Sequence, residues 1–112
     1  MSLQSKATKV VNALTSVTGL SCYHLFKPAS VKAPYAVWQE DSEGRSQYAD
    51  NYKTEQVLVL TLDYYTKTEF DTMVDSIQSA LNSAEDVSWL LNSFQYENET
   101  KLLHYEWLIR VI

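Results

Sequence analysis

The stretch that decides the fold is Gln56 to Tyr65, QVLVLTLDYY. Side chains on a β-strand alternate between two faces, so Leu58, Leu60, Leu62 and Tyr64 share one face while Val57, Val59, Thr61, Asp63 and Tyr65 share the other. A strand this apolar on both sides belongs at the centre of a sheet with cover on each face. Thr66-Lys67-Thr68-Glu69 follows at once and matches a capping box, in which the Thr66 hydroxyl and the Glu69 carboxylate would each satisfy a backbone donor at a helix start. Phe70, Met73, Val74, Ile77, Ala80 and Leu81 then recur at helical spacing, which predicts a helix over residues 68–82.

Toward the N-terminus, PYAVWQED (34–41) places Tyr35 and Val37 on one face and Ala36 and Trp38 on the other, a second strand covered in part on both sides. Ser21 to Phe26 reads as a brief strand stopped by Lys27-Pro28. Leu3, Ala7, Val10, Val11, Leu14 and Val17 predict a helix over residues 3–18, with Gly19 supplying a left-handed end. Toward the C-terminus, Val87–Tyr96 and Leu102–Ile112 predict a hairpin joined by the polar turn Glu97 to Lys101. In the last strand Leu103, Tyr105, Trp107, Ile109 and Val111 form one face, and the face with His104, Glu106 and Arg110 is expected to be wet. Asp41 to Asn51, DSEGRSQYADN, is expected to be a polar loop. Its Tyr48, and Tyr52 just beyond, are tyrosines of the kind enriched where protein surfaces meet.

This order predicts an α+β fold in one domain: a four- or five-stranded antiparallel sheet with two amphipathic helices packed on one face. Cover for the other face would come most economically from a neighbouring subunit. With 46% hydrophobic and 21% charged residues and only two Gly and two Pro in 112, the composition excludes disordered and fibrous classes. No apolar run approaches the roughly 18 residues of a membrane helix, and no signal peptide is evident, so a cytosolic chain without membrane contact is expected. The lone Cys22 cannot form an internal disulfide.

The net charge of −5 is unevenly distributed: residues 1–32 carry +4, from Lys6, Lys9, Lys27 and Lys32, and the remainder carries −9. Four scattered lysines without arginine are a weak nucleic-acid footprint. They fit a solvated helix face, or a basic surface that meets an acidic one on the next copy, head to tail.

Residues with chemical potential are few. There is no Gly-rich phosphate loop, nucleophile elbow or CxxC pair. Cys22, His24 and His104 lack a second close-spaced pair of ligands, so no metal site is predicted. Cys22 reads as a small core residue rather than a nucleophile, for which a histidine base and an orienting group would both be needed. Asp71 and Asp75, one helical turn apart, read as a solvated face, with Asp71 favouring the helix dipole. Asn98-Glu99-Thr100 matches a glycosylation sequon that a cytosolic chain does not present. No catalytic residue and no cofactor are expected.

PYAVWQED, the acidic QYADN segment, LDYYTKTEFD, IQSALNS and the closing LHYEWLIRVI together resemble the tail terminator, or tail-completion, proteins of long-tailed bacteriophages and prophages. The resemblance covers residues 33–112, and its most specific pieces are Tyr48-Ala49-Asp50 and the Tyr65-Thr66-Lys67 step. It implies a non-enzymatic α+β domain that assembles as a hexameric ring on the tail tube, stops tube polymerisation and presents the head-joining surface. Its partners would be further copies of itself, the tail tube protein and head-tail connector proteins, with DNA only passing through the lumen. The host cytoplasm during assembly and then the virion tail would be its locations. The segment after the second strand makes subunit and tube contacts in such proteins, which points to Asp41, Glu43, Arg45, Tyr48 and Asp50, with Tyr52 beside them. Two other readings are a different neck or connector protein, and a small-ligand-binding or enzymatic α+β domain with Cys22 or His104 in a pocket.

Overall fold

A computed structural model describes residues 2–44, 47–49 and 52–112. The chain forms, in order, α1 (Leu3–Thr15), β1 (Cys22–His24), β2 (Tyr35–Glu43), β3 (Gln47–Ala49), β4 (Tyr52–Glu55), β5 (Leu58–Thr66), α2 (Thr72–Ser83), β6 (Val87–Glu97) and β7 (Leu102–Val111). β1-β2-β5-β7-β6 is one sheet, and β3-β4 pair separately. The fold is α+β as expected, with one correction: the sheet is mixed. β1 runs parallel to β2 (Cys22↔Ala36), whereas all other neighbours are antiparallel. The returning segment between β1 and β2 is long enough to bring the chain back to the starting end, as a parallel pairing requires.

β5 holds the predicted central place. Its register with β7 runs from Leu58↔Val111 to Thr66↔Leu103. Leu58, Leu60, Leu62 and Tyr64 are buried on one face with Ala36, Tyr105, Trp107, Ile109 and Val111. Ala7, Val10 and Leu14 of α1 and Ile77 and Leu81 of α2 join the same cluster, so both helices cover this face. Each fully buried Leu or Ile contributes about 1.5–3 kcal/mol relative to exposure. Trp107, with no exposed surface, also donates its indole N–H to Oε1 of Gln78 on α2 at 3.1 Å.

α1 is shorter than the predicted 3–18. Ser2 caps its start by accepting from the Ser5 N–H at 3.1 Å. After Thr15, successive tight turns, Val17 N–H to Leu14 C=O and Leu20 N–H to Val17 C=O, replace the helical ladder. Gly19 is left-handed as expected, at φ 83°, but it ends this turn region rather than the helix itself.

The capping box does not form. Thr66 stays in the β5 ladder opposite Leu103, and the helix starts at Thr72 rather than 68. Asp71 is the N-cap: its Oδ1 accepts from the Met73 N–H at 2.9 Å, and its Oδ2 accepts from both Tyr64 Oη and Thr66 Oγ1 at 2.7 Å. Asp71 is therefore not part of a solvated acidic face. Burial opposes its charge, but donation from Thr66, Met73 and Tyr64 outweighs that and holds the carboxyl below the ordinary carboxylate value.

Asp41 to Asn51 is not a simple loop. β2 continues to Glu43, and β3 and β4 form a hairpin, with Tyr48 paired to Lys53 and Ala49 to Tyr52. The cause lies in the partner strand: β5 is long enough for Glu43 to pair with Leu58, and Gly44 then bonds the Val57 carbonyl at 2.7 Å. A Cβ at Gly44 would stand 3.0 Å from a Val57 methyl, so glycine lets the two chains approach.

Two outcomes test this account. Trp107→Ala is expected to cost about 3–5 kcal/mol in chemical denaturation, because the side chain is wholly enclosed. Asp71→Asn is expected to cost about 1–3 kcal/mol near neutral pH. Because the Asp71 carboxyl is depressed in the folded protein, its contribution is present above the unfolded value of about 4 and is lost as pH falls below it. The variant should show a smaller acid-induced loss in the same titration.

Candidate assembly interface

Of the sequence-predicted contact residues, Asp41 and Glu43 fall at the end of the sheet where β2 and β5 lead into the β3-β4 hairpin. Asp41 is exposed at a bulge in β2, between the Glu40↔Leu60 and Ser42↔Val59 pairs. It accepts from Thr61 Oγ1 and, at 3.4 Å, from Gln39 Nε2. Glu43 is exposed and accepts from Gln56 Nε2 at 2.9 Å. Tyr48 and Tyr52 lie on β3 and β4. Arg45 and Asp50 lie outside the described residues. Asp41 and Glu43 thus share one rim with the hairpin that carries both tyrosines.

The basic N-terminal portion is used inside the chain. Lys6 is buried and donates to the Gln56 carbonyl, and Lys9 pairs with Asp86 at 2.7 Å. Both contacts tie α1 to the rest of the fold, so these two lysines are not a free basic surface for a neighbour. The Lys27 ammonium lies 5.4 Å from the Tyr35 ring centroid.

A further apolar surface was not legible in the sequence. Eleven residues of β6 span about 36 Å at 3.3 Å per residue, whereas the 12 of α2 span about 18 Å. The helices therefore leave the hairpin end of the inner face uncovered. Phe94 stacks there on Tyr105 at 4.4 Å and is 56% exposed, and Tyr96 is 55% exposed. A bulge between Leu91 and Ser93 puts these residues on the same face as Trp89 and Leu91, although odd and even positions would otherwise oppose one another. Asn92, the extra residue, donates to Glu106 at 2.7 Å. β6 is also a sheet edge, and residues 87–96 contain no charge and no proline to blunt it. Phe70, 93% exposed at φ 54°, stands beside the Asp71 cap.

The outer face is drier than expected. Tyr35, Thr61 and His104 are buried, with Tyr65 stacked on Tyr35 at 5.0 Å and on His104 at 4.3 Å. Aromatic stacking across β2, β5 and β7 encloses His104, which alternation assigned to water.

Cys22 packs against the core, and burial pushes its thiol up to about 11, leaving it un-ionised at neutral pH. His24 contacts Glu40 at 2.5 Å and stacks on Trp38, while His104 contacts Asp63 and Glu97. Among the described residues no group of three or more His, Cys, Asp or Glu could hold a metal ion, and no helix is long and apolar enough to cross a membrane. An open groove of about 930 Å³ runs between α1 and α2, lined by small residues such as Ala13, Ser16, Ser79 and Ala80.

No family model matches the chain, and no curated protein matches it. Among solved structures, this chain is similar to one in the virion of a native gene transfer agent (GTA) particle. The TM-score is 0.64 at 13% identity, over 97% of this chain and 92% of that one. At that identity the likeness is one of fold, and it spans the helices and strands described here from end to end.

Proposed function

We propose that this chain is a structural protein of a phage-like virion, a single tail-terminator-like domain that caps the tail tube as a hexameric ring and presents the surface for head joining. The observation that carries the reading is the shared fold with a chain of a gene transfer agent virion, over nearly the full length of both. The surfaces fit a part made for assembly: an unblunted β6 edge with Leu90, Phe94 and Tyr96 exposed, and a displayed Phe70. The role is one of contact rather than catalysis.

In this reading Asp41, Glu43, Arg45, Tyr48, Asp50 and Tyr52 meet the neighbouring subunit or the tube, and the acids of the group face the lumen. Like charge there denies DNA phosphates the counterion-release gain that basic surfaces supply, so the duplex passes without adhering. The neighbours of each copy are other copies, the tail tube protein and a head-tail connector.

The test is capping. Purified protein is added to growing tubes of a phage tail tube protein, and tube lengths are measured by electron microscopy. Growth should stop, with six-fold density at one tube end. Continued growth with bare ends would overturn the role. Replacing Asp41, Glu43 and Asp50 together by lysine should preserve folding and create salt-sensitive DNA retention on the assembled ring, and no retention would remove the acidic lumen from the account.

A further inference from the structure

On the outer face of the sheet, acids hold His104 at both ring nitrogens. Nε2 lies 2.6 Å from Asp63 Oδ1 on β5, and Nδ1 lies 3.2 Å from Glu97 Oε2 at the end of β6. The ring is 9% exposed beneath Tyr65. A neutral imidazole offers one N–H and one lone pair, so between two ionised carboxylates it satisfies one and turns a lone pair toward the other. Three arrangements satisfy both contacts. In one, both ring nitrogens carry protons between two carboxylates. In the second, a proton on Asp63 is donated to Nε2 while Nδ1–H is donated to Glu97. In the third, a proton on Glu97 is donated to Nδ1 while Nε2–H is donated to Asp63. Each holds one proton more than a neutral ring with two ionised acids.

We propose that Asp63, His104 and Glu97 form a proton-dependent clamp that ties the tip of the β6–β7 hairpin to the central strand and opens as pH rises. The clamp spans three strands, β5, β6 and β7, and the segment it secures is the turn after Glu97. Glu97 also accepts from Thr100 Oγ1 at 3.0 Å, and its carbonyl accepts from the Lys101 N–H at 2.7 Å. Freeing the Glu97 side chain therefore loosens that turn.

The surroundings favour retention of the extra proton. Burial pushes the Asp63 carboxyl above the ordinary carboxylate value, against the opposing hydrogen bond and charge of His104, while Glu106 and Asp41 add to the push. The ionisable groups facing the site are Tyr35 and Asp41 on β2, Asp63 and Tyr65 on β5, Glu97 on β6 and Glu106 on β7, with Lys27 over the Tyr35 ring. Burial and the charges of Asp63 and Glu97 likewise push the Tyr65 hydroxyl up, to about 12, so it stays neutral across the range concerned. Loss of the proton leaves two carboxylates around a neutral ring. Because the Asp63 carboxyl is raised above its unfolded value, its protonated form stabilises the fold at low pH, and that contribution is lost as pH rises.

The test uses the intact protein, ¹⁵N-labelled, with NMR of the His104 ring and backbone amide exchange over residues 97–102, corrected for intrinsic base catalysis. As pH rises from the ordinary carboxylate range of about 4, protection of the turn should fall about tenfold, as expected when a charge-assisted hydrogen bond is lost. Glu97→Gln retains an acceptor for Nδ1–H without the charge and should flatten this dependence. Identical profiles for the wild type and Glu97→Gln would overturn the clamp. So would a wild-type spectrum showing a single ring N–H with Asp63 and Glu97 both ionised throughout.

Discussion

The structure depends on burying one face of β5 between β2 and β7 beneath the two helices. Leu58, Leu60, Leu62 and Tyr64 are all nearly inaccessible. A one-residue slip would replace them with Val57, Val59, Thr61 and Asp63, putting a carboxylate into the core without a partner. That penalty fixes the register of β5, and its neighbours follow. Trp107 then stands opposite Leu62, and its N–H reaches Gln78, which sets α2 over the sheet. At the end of β5, Tyr64 and Thr66 project their hydroxyls to one carboxylate, so Asp71 starts α2 where the strand stops.

Two bulges decide which residues the finished surface displays. At Asp41, the bulge leaves the acid outside the β2–β5 pairing, exposed near the end of the sheet. At Asn92, it turns Phe94 and Tyr96 to the inner face, beyond the reach of the helices. An elongated molecule of 52 × 26 × 24 Å results, with an acidic rim toward one end of the sheet and exposed aromatics toward the other.

Two of the four N-terminal lysines are bonded within the fold. Lys6 and Lys9 hold α1 to the β4–β5 connection and to the residue before β6. The acids Asp41 and Glu43 are exposed and are also bonded within the chain, to Thr61 and Gln39 and to Gln56.

The sequence by itself determined the class of fold. Alternation in Gln56–Tyr65 and Leu102–Ile112, and helical spacing in the two amphipathic runs, are local patterns whose period names the element and its buried face. The runs Val87–Tyr96 and Leu102–Ile112 about a polar turn likewise named the closing hairpin. Tertiary structure decided the rest, because each remaining feature needed a partner distant in sequence. Thr66 belongs to the strand because Leu103 pairs with it. Asp71 becomes the cap because Tyr64 reaches it. His104 is buried on a face alternation left to water because Tyr65, Asp63 and Glu97 converge on it from two other strands. Of the residues proposed for contact, local composition could mark Asp41, Glu43 and Tyr48 as polar or interfacial. It could not foresee that β2 would carry the first two along β5 to the rim, nor that the lysines expected to face outward would be bonded within the chain.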